Sequence, residues 1–250
     1  HLIQNRINTG AGDDEIVKQT GTSSTYPNTY NGGAGTDTLI YDFNLTASGI
    51  EVNLTTGKIT YNGGDRDVVQ NIENVTLINV NGNIVGDSGD NILRAEGTAY
   101  DNTITGEAGN DTLEGGLGAD SLNGGTGFDT ASYANAAAAV TIDLATSANN
   151  TGEAAGDTYA SIENLIGSAF ADTLTGDTND NTLSGGDGND VFYGGGAVSK
   201  NSLIGGAGVD TVSYANSVAG VTANLSSQDD NTGSAASDTY AGIENLIGSM

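Results

Sequence analysis

The stretch from Gly106 to Ser132 reads GEAGNDTLE, GGLGADSLN, GGTGFDTAS, three consecutive nine-residue units in one frame. Each has glycine at its first and fourth positions, aspartate at its sixth and an aliphatic residue at its eighth (Leu113, Leu122, Ala131). In the middle unit, Gly115, Gly116 and Gly118 fall where a six-residue turn passes through conformations that a side chain would obstruct. Asp120 then projects a carboxylate at the end of the turn. Ser121 points away and Leu122 inward, because side chains alternate along a strand. One such unit can neither bury its single aliphatic side chain nor neutralise its carboxylate. The units therefore have to stack, and self-similarity at a short fixed period marks a solenoid whose neighbours build one continuous core.

The pattern G-G-x-G-x-D-x-U-x, with U a large apolar residue, resembles the RTX (repeats-in-toxin) calcium-binding nonapeptide family of the hemolysin and serralysin type, found in bacterial proteins exported by type I secretion. The resemblance implies an all-β, right-handed parallel β-roll in which two nonamers make one coil and same-side turns recur every second unit. Asp111 and Asp129 would then share one edge, about one strand spacing (~5 Å) apart. At an effective dielectric near 20 they repel by roughly 3 kcal/mol. A calcium ion removes that penalty, since it takes about six to eight oxygens from carboxylates and carbonyls in a flexible geometry.

By the same resemblance, several ions are expected between adjacent same-side turns. The strong run supplies Gly106, Gly109 and Asp111, then Gly115, Gly116, Gly118 and Asp120, then Gly124, Gly125, Gly127 and Asp129. A second run supplies Gly185, Gly186, Gly188 and Asp190, followed by Gly205, Gly206, Gly208 and Asp210. Asp14 in TGAGDDEIV and Asp37 in GGAGTDTLI are further ligand candidates in isolated turns for which the sequence shows no clear same-side neighbour. Asp172 is a further ligand candidate, in a turn made irregular by Phe170 in place of a glycine. Asp172, Asp190 and Asp210 are expected on one edge and Asn181 and Asn201 on the other. Asparagine offers a neutral oxygen, so the turns at Asn91, Asn102, Asn181 and Asn201 rank below the aspartate turns as metal sites and should either bind calcium weakly or be held by hydrogen-bonded stacking.

Composition agrees with this chemistry. Thirty-two acidic residues face six basic ones, for a net charge of −26. That balance excludes nucleic acid and anionic membrane surfaces as partners and favours cations. With 39 glycines and one proline, glycine punctuates a regular pattern. The absence of cysteine excludes disulfides and thiolate sites. There is no run of about 18 apolar residues that would span a membrane as a helix. The chain reads as a piece of a longer polypeptide.

A second, longer period overlies the nonamers. Residues 124–168 align without gaps to 205–249 with roughly two thirds of positions identical, and a divergent copy runs over 32–75. Each long unit opens with an aspartate turn, continues into a β-branched strand (Ile50 to Leu54, Val140 to Leu144, Val221 to Leu225) and then a polar loop. It ends with an aspartate five residues before an Ile-Glu-Asn triplet: Asp67, Asp157 and Asp238, with Glu73, Glu163 and Glu244. The expected organisation is a first segment over 1–85, a nonamer run with a long unit over 86–168, and another over 169–250, in one solenoid from which the long-unit loops protrude. Residues 18–31 read as a loop.

Other chemistry finds little support. The three aspartates read as turn caps accepting backbone N–H groups, and the triplet glutamates as outward-facing strand residues. Tyr133 and Tyr214 read as packing residues. Gly194 to Lys200 misses the phosphate-loop spacing, and the one histidine is the first residue, so no nucleophile has a base placed by pattern. The chain is read as a non-enzymatic, calcium-folded module of a secreted, extracellular or cell-surface bacterial protein, with the type I secretion apparatus as export partner. The alternatives are a binding region of an adhesin or surface-layer protein, contacting glycans or cell-surface polymers, and an accessory module of a secreted hydrolase or polysaccharide epimerase.

Overall fold

The computed structural model describes all residues except 1–5, 20–26, 43–47, 63, 98, 197–198 and 250. The loop expected at 18–31 lies in part outside the described residues. Lys18 and Gln19 belong to the strand Glu15–Gln19, and Thr29–Ala34 is already a strand. Two compact units, His1–Asp129 and Thr130–Met250, divide the chain. The sequence boundaries at 85 and 168 follow repeat copies, a different criterion.

In the first unit, one sheet takes the strands Glu15–Gln19, Thr38–Asp42, Asn74–Ile78, Ile92–Glu96 and Thr112–Glu114 in that order, all parallel. Register places Ile16, Leu39, Val75, Leu93 and Leu113 in one column. A second column runs Ile84, Ile104, Leu122. Leu39, Val75, Ile84, Leu93, Ile104 and Leu113 have no exposed surface, so the eighth position of the nonamer is the core. Each such side chain contributes about 1.5–3 kcal/mol by leaving water. The coil holds 18 residues where two nonamers make it, as from Asp111 to Asp129, and 20 where an eleven-residue unit intervenes, as from Asn91 to Asp111.

The first long unit interrupts this parallel order. Ser48–Asn53, Lys58–Tyr61 and Gly64–Gln70 form an antiparallel meander whose outer strands pair in parallel with Asn81–Val85 and Thr29–Ala34.

The second unit stacks Thr130–Ser132, Asn164–Ile166, Thr182–Asp187, Ser202–Ala207 and Thr239–Ala241 in one parallel series. Its other series is Thr141–Asp143, Thr173–Thr175, Val191–Tyr193, Thr211–Ser213 and Asn245–Ile247. Leu165, Leu183 and Leu203 fill one column; Ile142, Leu174, Phe192 and Val212 fill the other.

The long-unit loops are ordered. After Thr141–Asp143, two 3₁₀ turns (Ser147–Asn149, Gly152–Ala154) bring Thr151 back against Thr141 in an antiparallel bridge. Asn150 fastens the loop, accepting the Asp143 N–H at 2.8 Å and donating to the Asp157 carbonyl at 3.1 Å. The copy at Gln228–Asp230 and Gly233–Ala235 repeats this, with Thr222 bridged to Thr232. The strand expected at Val221 to Leu225 is reduced to that bridge. Thr141–Asp143 has a parallel neighbour in Thr173–Thr175, whereas no strand flanks residues 221–225 among the described residues.

Candidate metal centre

The site is built from the turn upward. Gly116 and Gly118 adopt φ of 76° and 149°, values an L side chain rarely takes. The first glycine is needed for a different reason. A Cβ on Gly115 would fall on Oδ2 of Asp120, its own turn's carboxylate. A Cβ on Gly106 would meet both Asp111 Oδ2 and the Gly124 carbonyl oxygen of the next coil, and one on Gly185 would meet Asp190 Oδ2 and the Gly205 carbonyl. Glycine therefore keeps open a space faced by a carboxylate oxygen and a main-chain carbonyl.

The sixth-position residues form ladders. In the first unit the Asp111 N–H donates to Asp129 Oδ1 at 2.8 Å and the Asn91 N–H to Asp111 Oδ1 at 2.8 Å. On the other edge the Asn102 N–H reaches Asp120 Oδ1 at 2.7 Å. Asp14 does have a same-side neighbour: its N–H donates to Asp37 Oδ1 at 2.8 Å across the intervening insertion. In the second unit Asp172 leans on Asp190 and Asp190 on Asp210, each at 2.8 Å, while Asn181 leans on Asn201 at 3.1 Å.

The other carboxylate oxygen decides the chemistry. Oδ2 of Asp14, Asp37, Asp111, Asp190 and Asp210 is buried and takes no hydrogen bond. Oδ2 of Asp120 and Asp129 is likewise buried without one, while their Oδ1 atoms hold rungs. A buried anionic oxygen left unmatched is costly. Burial pushes the Asp111 and Asp190 carboxyls up to about 6, and raises Asp129 too; neighbouring aspartates add to this, and the N–H donated to each carboxylate offsets part of it. Among the described residues no three acidic or histidine side chains converge. A cation here would be held by one or two carboxylates and completed by turn carbonyls, an all-oxygen set suited to a hard divalent ion such as calcium.

Asp172 differs from the rest. The Ser168 N–H and hydroxyl both donate to its carboxylate, so its second oxygen is matched. The long-unit aspartates are matched as well, by tyrosine. Tyr41, Tyr133 and Tyr214 donate their hydroxyls to Oδ2 of Asp67, Asp157 and Asp238. These tyrosines are buried, and their hydroxyls do more than pack. Asp67 and Asp238 do accept backbone N–H groups, but from Asn28 and Asn201 on the neighbouring coil instead of their own turn.

The triplet glutamates also correct the sequence reading. Glu73 Oε2 accepts the Asp37 N–H at 2.7 Å and Glu244 Oε2 the Asp210 N–H at 2.8 Å. Both precede their strands and serve as rungs, reaching with one more methylene what aspartate reaches elsewhere. The in-frame recurrence of Tyr, Asp and Glu in each long copy was the available signal for these roles.

With this geometry in place, comparison with known proteins assigns the class. Residues 96–131 and 166–197 match the model of the RTX calcium-binding nonapeptide repeat, in four copies. The chain thus carries a calcium-binding β-roll module, of a structural and non-catalytic kind. No curated protein matches it.

Proposed function

We propose that this chain is a calcium-triggered folding module of a secreted bacterial protein, exported unfolded through a type I apparatus and folded outside the cell, without catalytic activity of its own. The observation that carries the reading is the recurrence, in each unit, of buried and unmatched Oδ2 atoms: on Asp14, Asp37 and Asp111 in the first and on Asp190 and Asp210 in the second. The ligands are those carboxylates, joined by Asp120 and Asp129 and by carbonyls of the turns they close. Without the ion, like charges face one another across a thin core that does not offset chain entropy. Calcium supplies the positive charge that lets the corners close. Outside the cell, an affinity of about 10⁻⁴ to 10⁻³ M is sufficient. Circular dichroism in chelator and in millimolar calcium tests this: a disordered spectrum becoming β-rich is expected, and a β-rich spectrum in chelator overturns it.

A second reading, a surface or adhesive role, draws on one feature of the second unit. A cleft of about 310 Å³ is lined by Tyr193, Ser213, Tyr214, Asn216, Ser217 and Ser234, with no charged side chain. On so acidic a chain, that lining suits a neutral sugar. A glycan array on the calcium-loaded protein tests it, and absence of binding removes this reading.

A further inference from the structure

The ten nonamer-type turns ending at Asp14, Asp37, Asn91, Asp111, Asp120, Asp129, Asp172, Asn181, Asp190 and Asp210 fall into two kinds. In seven, the second residue has positive φ: Gly10 109°, Gly33 106°, Glu107 79°, Gly116 76°, Gly125 105°, Gly186 100° and Gly206 106°. These are the seven whose sixth residue carries a buried Oδ2 with no hydrogen bond. In the other three the second residue is Asp87, Ser168 or Asp177, none with positive φ.

There the turn closes on itself. The second residue's N–H donates to the sixth residue's side-chain oxygen: Asp87 to Asn91 at 2.9 Å, Ser168 to Asp172, and Asp177 to Asn181 at 2.9 Å. Its side chain in turn accepts the fourth residue's N–H: Gly89 to Asp87 at 2.8 Å, Phe170 to Ser168 at 3.1 Å, Asn179 to Asp177 at 2.7 Å. The physical link is the direction of one amide. Positive φ swings the second N–H away from the carboxylate and leaves its oxygen bare, while negative φ points the N–H at it. A short polar side chain that caps the fourth N–H holds the second conformation.

We infer that the second residue of each turn is the specificity determinant of this roll, selecting an ion-binding or a self-closed corner, so that an aspartate at the sixth position is needed for an ion but does not suffice. The inference rests on the calcium reading above and adds to it which corners stay empty. Asp172 is the decisive position. It has the aspartate, the first glycine (Gly167) and a carbonyl of the next coil (Gly185) against the same space, yet Ser168 fills its hydrogen-bonding capacity.

The test is the number of calcium ions bound per folded chain, measured by equilibrium dialysis of the whole protein. Ser168→Gly should bind one ion more than the natural chain, and Ser168→Thr should leave the number unchanged. Should Ser168→Gly fold poorly, a pair of variants gives a second reading. Asp172→Asn should keep the natural number, whereas Asp190→Asn should lower it by one or more. An unchanged count in Ser168→Gly, or a drop in Asp172→Asn equal to that in Asp190→Asn, overturns the inference while calcium binding itself stands. A natural chain that binds no calcium overturns both.

Discussion

The two edges of the second unit share a backbone and differ in what they ask of the solvent. On one edge Asp172, Asp190 and Asp210 lean in turn on the next rung and end on Glu244, each N–H to oxygen distance being 2.8 Å. On the other, Asn181, Asn201 and Asp238 do the same at 3.1 and 2.8 Å. The asparagine edge then completes itself. Asn181 donates its amide to the Glu163 carbonyl, Asn201 to Ser199, and Asp238 receives Tyr214. The charged edge leaves Asp190 and Asp210 each with a bare oxygen. A β-roll as such therefore has no need of a metal; the demand is installed residue by residue at the sixth position and withdrawn by a neighbouring donor.

Chelation should separate the edges most strongly. As calcium is withdrawn, hydrogen exchange at the Asp190 and Thr211 amides should accelerate at higher calcium than exchange at the Asn201 and Thr239 amides. Simultaneous loss would show that the edges are one cooperative element. Next in size is Tyr214→Phe, which strips Asp238 of its hydroxyl donor on the self-sufficient edge. It should cost about 1–3 kcal/mol in urea unfolding, with the calcium requirement of the Asp190 edge unaltered. Asp190→Asn keeps the acceptor for the Asp172 amide and removes a charge. It should lower the Tm in saturating calcium and, in chelator, lessen the disorder of the chain, a reversal of sign read by melting in the first case and by circular dichroism in the second.

The smallest effect concerns pH. In the calcium-free protein the Asp111 and Asp190 carboxyls are raised from 3.8 to about 6, chiefly by burial. Between those values the folded chain holds protons that the unfolded chain has released, so stability falls as pH rises through that window. In chelator the chain should therefore be disordered near pH 7 and gain β-sheet signal near pH 4, a gain that Asp190→Asn should reduce. Calcium affinity should weaken on acidification below about 6, for the same protons compete with the ion.

Much of this was legible in the chain. The eighth positions follow from one unbroken frame, while the coil of two nonamers and the pairing of Asp111 with Asp129 come from the resemblance to the nonapeptide-repeat family. What escaped was contact across insertions. Asp14 meets Asp37, and Tyr133 meets Asp157, only because a long excursion returns to the neighbouring coil, and no local pattern states where it lands. The glutamate rungs were missed because Glu73 and Glu244 stand outside the nonamer frame, where alternation suggested an outward side chain. Ser168 escaped for a third reason. Its effect depends on the direction of one amide, which composition does not reveal.

The sixth-position rungs from Asp172 to Glu244 point one way, with the amide of the earlier residue resting on the side chain of a later one. Support is thus borrowed forward along the polypeptide. Damage at Asp210 strands the amide of Asp190 and then that of Asp172, while Asp210's own amide still rests on Glu244. Loss of the Asp210 side chain should therefore bare the Asp190 amide before its own, while contacts that run the other way, the Val209 N–H to Asn189 and the Thr211 N–H to the Asp190 carbonyl, keep the coils stacked.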